Sequence, residues 1–242
     1  MTESKIELIA RLLAKAESTT PEEAEALTEH AERLMVKYAI DQAVIDARRA
    51  KEGKASESII EVKIAFEGTY RDALMEMGHC AAMALGQMRT LQSKMGTKTV
   101  LWIVGFEGDV KQAETLVRSL HVQALIAQKQ WWRENAPAYR FGSDWDRRKA
   151  RQDFIIGFGH GVYGRISENR RQEVVEAGNG TDLVLRDRQS QVDEFVDGMN
   201  LRKGREGNRK QDDRAMHGGH KAGRNARTGE REVGMNSRAI SA

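Results

Sequence analysis

Val100-Leu101-Trp102-Ile103-Val104 is the most apolar run in the chain. A run this short, rich in β-branched and aromatic residues, suits a strand buried on both faces. A central strand needs neighbours. Ile60, Val62, Ile64 and Phe66 alternate with Glu61 and Lys63, the period of a half-buried strand. Met88 to Ser93 reads as one hairpin arm and Thr97 to Phe106 as the other, joined at Lys94-Met95-Gly96, where Gly96 supplies turn freedom. Between the strands, Leu74, Met77, Ala81 and Leu85 align at helical spacing, and Gly86 ends that helix. After the hairpin, Asp109 lies near the next helix start, and Ala113, Leu116, Val117, Leu120 and Ala124 carry a second apolar stripe. Strand, helix, strand, strand, helix predicts an α+β fold: a small, mainly antiparallel sheet covered by helices.

The first fifty residues are helical in pattern. Ser4 and Glu7 have capping-box spacing, and Ile6, Ile9, Leu12, Leu13 and Ala16 form one face. Thr20 suits an N-cap, Pro21 the first helical position, and Glu23 closes a second box. Ala24, Leu27, Ala31, Leu34, Met35 and Tyr38 continue the stripe, and Asp41 is expected to cap a third short helix carrying Val44 and Ile45. Residues 47–58 read as a linker. Three parts are therefore expected: a helical module over 1–49, an α+β domain over 58–200, and a basic tail over 201–242.

That tail carries eleven Lys/Arg against five Asp/Glu, whereas the first 200 residues sum to −3. A basic, Gly-rich end is either a solvated tail or a polyanion-seeking one. It is expected to lack order beyond Gly204, with one helical island around Asp212 to Ala226. Further helices are expected over about 147–171 and through Gln189 to Met199. Gly159-His160-Gly161-Val162-Tyr163-Gly164 matches G-x-G-x-x-G, but no buried strand leads into it, as a dinucleotide site requires. Gly157, Gly161 and Gly164 instead recur at helical spacing, as do Met216, Gly219, His220, Gly223 and Ala226. Each glycine weakens a helix by about 1 kcal/mol against alanine. Close approach of these two helices would account for that cost.

Lys5-Ile6, Leu12 to Thr19, Glu22 to Ala26, and the closing Leu34-Met35-Val36-Lys37-Tyr38-Ala39-Ile40-Asp41 resemble a bacterial and phage family, the domain of unknown function DUF2786. The likeness covers about the first forty residues. It implies a helical module that precedes a second, α+β domain, to which Val104 to Val110 and the Arg151 to Arg165 helix are similar. It also implies a phage or mobile-element setting. The family has no settled activity, so no catalytic residue carries over.

The strongest functional signal is an aromatic-basic stretch. Residues 128–171 hold eight of the fourteen aromatics and ten Lys/Arg against five acids. Trp131, Trp132 and Trp145 beside Arg133, Arg140, Arg147, Arg148 and Lys149 offer stacking faces and phosphate contacts. Arg202, Lys203, Arg205, Arg209, Lys210, Arg224 and Arg227 would add phosphate attraction from the tail. The competing reading is that the rings are core anchors and the cations a solvated helix face. Adjacent Trp131 and Trp132 cannot both face one core from one helix.

No P-loop, G-x-S-x-G or H-E-x-x-H pattern occurs. His217 and His220 could share a metal only with further ligands, and Cys80, the single cysteine, reads as a small buried residue. Asp144 and Asp146 read as loop or cap residues rather than a carboxylate pair. No cofactor, metal or catalytic residue is expected. Charged residues at 31%, with no apolar run of spanning length, argue against a membrane protein. Met1 to Ala10 carries Glu3 and Glu7 and no basic segment before an apolar core, unlike a secretory signal, so a cytoplasmic location is expected. The expected function is a non-enzymatic phage or mobile-element accessory protein that contacts nucleic acid. The alternatives are an adaptor for a host or phage protein, and a hydrolase that a meeting of His79, His121 or His160 with Asp/Glu would favour.

Overall fold

A computed structural model describes residues 2–51, 57–178, 180–199 and 210–226, with Leu201 and Gly204. In chain order the elements are α1 (Thr2–Glu17), α2 (Pro21–Lys51), β1 (Ile59–Phe66), α3 (Arg71–Leu85), β2 (Met88–Met95), β3 (Lys98–Phe106), α4 (Glu107–Asn135), α5 (Asp144–Glu176), α6 (Thr181–Asp197) and α7 (Asp213–Arg224). A single 3-10 turn, Ala136–Tyr139, follows α4. Among the described residues, no helix is long and apolar enough to cross a membrane.

β3 takes the central place its apolar run demands. The sheet order is β1-β3-β2, both pairs antiparallel, with Val62 opposite Ile103 and Leu91 opposite Trp102. The hairpin closes at Met95 opposite Lys98, so the turn is Gly96-Thr97 and the second arm starts one residue later than expected. One sheet face lies under α3 and α4, where Phe66, Leu101 and Ile103 are buried. On the other face α6 covers only part. Trp102 stays half-buried there, with Lys63 Nζ 4.1 Å above its ring and its indole N–H donating to Ser93 Oγ. Outside α3 runs α5, and outside α5 runs α7.

α2 corrects the expectation of a third short helix: it is continuous from Pro21 to Lys51. Asp41 is exposed in mid-helix, and no glycine or proline interrupts the run around it. The start is as read, with Glu23 N–H donating to Thr20 Oγ1. One hydrophobic core joins α1 and α2 (Ile9, Met35, Ile40) to the sheet layer (Phe66, Leu101) and to α5 (Ile155, Phe158).

Two buried ion clusters cross this core. Arg188 of α6 donates to Asp46 of α2 (2.9 Å), Glu57 ahead of β1 (2.8 Å) and Asp109 in the first turn of α4 (3.1 Å). Its guanidinium also lies 3.6 Å from the centroid of Phe106. Three carboxylates around one guanidinium leave excess negative charge. Burial first, then the neighbouring Glu57 and Asp46, push the Asp109 carboxyl up to about 6, against the pull of Arg188. Elsewhere Glu32, fully buried on α2, meets Arg165 of α5 at 2.5 Å. Burial raises the Glu32 pKa despite that partner. Arg165 also donates to the carbonyls of Arg224 and Ala226, satisfying the C-terminal end of α7.

The α5–α7 contact is made by glycines, as their spacing implied. A Cβ on Gly157 or Gly161 would fall onto the carbonyl oxygen of Met216 or His220. A Cβ on Gly219 or Gly223 would fall onto that of Phe154 or Phe158. Gly164 is different: its nearest neighbour would be Arg224 Nη1 at 3.6 Å, an ordinary contact. The G-x-G-x-x-G string is thus helix interior facing another helix. The basic extension beyond α6 falls outside the described residues apart from Leu201, Gly204 and residues 210–226.

Candidate nucleic-acid interface

α4 does not stop at its apolar stripe. It runs on through Trp131 and Trp132 to Asn135, and only the 3-10 turn and Arg140–Ser143 separate it from α5. Ser143 then starts α5 with a full capping box: Asp146 N–H donates to Ser143 Oγ, and Ser143 N–H donates to Asp146 Oδ2. Asp144 pairs with Arg147 at 3.3 Å. The two aspartates therefore organise a helix start. Arg147 locks the corner by donating to the carbonyls of Tyr139 and Arg140.

The rings divide into two groups. Trp131 and Trp132 are half-buried. Trp131 lies 5.1 Å from Phe154, and its indole leaves no room for a side chain at Gly218 of α7. Trp132 lies 5.3 Å from Tyr139, and Arg151 covers its ring at 4.8 Å. The pair diverges by 46° and wedges α4 against α5 and α7. Phe141 and Trp145, by contrast, are 89% and 65% exposed. The Arg140 guanidinium stands 4.5 Å from the Phe141 ring.

The cations divide in the same way. Arg133, Arg140 and Arg148 are exposed, as are Lys129 and Arg214 nearby in the chain or in charge contact with Tyr139. Lys149 is turned inward, its side chain 12% exposed and paired with the fully buried Asp153 at 3.1 Å. Asp153 also accepts from Asp212 N–H, and Asp212 caps α7 through Ala215 N–H while accepting from the Tyr139 hydroxyl. Burial and that bond to Asp212 push the Tyr139 phenol above its usual range. Lys210 is exposed, and Arg224 is exposed and pairs with Glu168. Arg202, Lys203, Arg205, Arg209 and Arg227 lie outside the described residues.

Chemically, the corner offers two open rings for stacking and a set of open guanidinium groups. Phe141 is its most exposed aromatic, one of the eight counted in residues 128–171. A second basic region was not legible at all: a groove of about 640 Å³ between the α3–β2 junction, α5 and α6, with Arg170, Arg171 and Arg186 in its walls. Arg170 lies across Gly86, whose positive φ and missing side chain make room for the guanidinium.

The histidines are dispersed. His79 Nδ1 is 2.5 Å from Thr90 Oγ1, and His121 packs 5.6 Å from Phe66, where burial lowers its pKa. His217 and His220 are exposed on α7. His160, exposed on α5, has a ring nitrogen within 4.8 Å of Glu76 and Cys80 of α3, the histidine–acid meeting on which the hydrolase alternative turns.

Residues 6–42 match the model of a family described as a protein of unknown function, DUF2786. No curated protein and no solved structure matches the chain.

Proposed function

We propose that this chain is a non-enzymatic accessory protein of a phage or mobile element that contacts nucleic acid at the α4–α5 corner. The observation that carries the reading is the pair of exposed rings, Phe141 and Trp145, set among exposed Arg133, Arg140 and Arg148. Large rings left in water beside exposed cations suit stacking on unpaired bases with phosphate neutralisation. Trp131, Trp132, Arg147 and Lys149 then act one step back, fixing the corner from which the open side chains project. Lys210 and the basic tail would add sequence-independent attraction.

Fluorescence anisotropy with single- and double-stranded oligonucleotides tests this. Binding at low salt should weaken steeply as salt rises and should favour the single strand. Trp145→Ala should weaken single-strand binding by about 1–3 kcal/mol, roughly 5- to 150-fold. No binding by the folded wild type at low salt overturns the proposal. Retention of a protein partner under that condition, lost on changing the exposed face of α1 and α2, would turn the reading toward an adaptor.

A further inference from the structure

We infer that Glu76, Cys80 and His160 form a site for a borderline-soft transition-metal dication, with zinc as the fitting ion. One ligand atom from each of the three residues lies within 4.8 Å of the others. Glu76 and Cys80 sit one turn apart on α3 and so share a face. His160 arrives from α5. What brings it there is the close crossing of the two helices at Gly159, where a Cβ would stand 2.7 Å from Met77 Cα and 3.5 Å from Cys80 Cβ. Met77, next to Glu76, and Phe158, two residues before His160, are buried core residues, so the donors are carried on two rigid elements.

The donor set selects the ion. Sulfur, imidazole and carboxylate together are zinc chemistry, whereas magnesium and calcium take oxygen ligands throughout. Zinc bond lengths of about 2.0–2.3 Å place tetrahedral ligands roughly 3.3–3.8 Å apart. The closing from within 4.8 Å falls to Glu76, half-buried, and His160, exposed, about the buried Cys80. Three protein ligands at the surface would leave the fourth position to water. A free-nucleophile role for the thiol fits less well: burial, then the charge of Glu76, push Cys80 up to about 12. A dication removes that obstacle, because a coordinating thiol gives up its proton. His79 stays out of the set, held toward β2 by Thr90.

Cobalt(II) titration of the full chain under reducing conditions tests the site. Cys80 is the only cysteine. A near-ultraviolet thiolate-to-cobalt charge-transfer band can therefore report no other residue. We expect one equivalent to saturate the band, tetrahedral d–d absorption to accompany it, and zinc to displace it. Cys80→Ala should abolish it. His160→Ala, at an exposed position, and Glu76→Gln should each weaken binding by about tenfold or more, since even outer-shell partners are worth 10- to 100-fold. Wild-type protein that is folded by circular dichroism yet gives no band overturns the inference. A band that survives both His160→Ala and Glu76→Gln at full affinity overturns it as well, and these two variants decide the matter if Cys80→Ala does not fold.

Discussion

α5 is held on two sides by opposite means. Against α7 it presents bare glycine backbone, with carbonyl oxygens where side chains would stand. Against α2 it presents Arg165 to a buried carboxylate, and nearby α6 does the same with Arg188 among three acids. The glycine contact draws its strength from shape and fails through excess volume. The ionic contacts draw theirs from the attraction of opposite charges and fail when one partner leaves. Neither kind of contact tolerates the change to which the other is indifferent.

The ionic side should show the largest effect. Arg188→Met keeps the bulk and strands Asp46, Glu57 and Asp109, so chemical denaturation should register a loss of about 3–5 kcal/mol. Gly161→Ala comes next. One methyl group meets backbone, which cannot rotate aside, and a loss toward the upper end of about 1–3 kcal/mol is expected, with protease sensitivity appearing at α7 before the rest unfolds.

The third effect is a pH slope. The Asp109 carboxyl rises from 3.8 in the free state to about 6 in the fold, so between those values the native state holds more protons than the unfolded chain. The contribution of Asp109 to stability should therefore increase as pH falls through about 6, by at most about 1.4 kcal/mol per pH unit, and level off below about 4. Burial of Glu32 acts in the same direction. Denaturation curves at pH 7 and pH 5 should show the gain in wild type and a reduced one in Asp109→Asn. The smallest effect has the opposite sign from Gly161→Ala. Gly164→Ala meets only open space and the end of Arg224, so it should stabilise by about 0.4–1 kcal/mol in a thermal melt. A loss at position 164 equal to that at 161 would show that the close approach of α7 reaches Gly164 as well, and a gain at both would show that helix propensity, not contact, governs this face.

Local patterns were legible and distant partnerships were not. The alternation in Ile60–Phe66 and the apolar run in β3 located the sheet, because period and burial are properties of a few adjacent residues. The glycine registers of α5 and α7 were equally visible, and they named each other. The division of α2 failed because Asp41 can cap a helix but does not break one. The extent of α4 was missed because its apolar stripe was traced only to Ala124, while the helix runs on to Asn135. Whether a ring faces in or out is a tertiary matter. Trp132 and Trp145 look alike in sequence, yet one lies beneath Arg151 and the other stands in water. Arg188 gave no signal, since its partners lie at positions 46, 57 and 109, and His160 stood out only as one histidine among three, because its partners at 76 and 80 belong to another helix.

The glycine channel of α5 also sets an order of events during translation. Asp153 and the Asp212 backbone that it anchors are 59 positions apart, and α7 comes after all the other helices described. At about 5–20 residues per second, a nascent α5 waits roughly 3–12 s for the helix that covers Phe154 and Phe158. During that interval the face of α5 that α7 later covers stays open, and a chain truncated within this stretch would keep Phe154 without its partner Ala215.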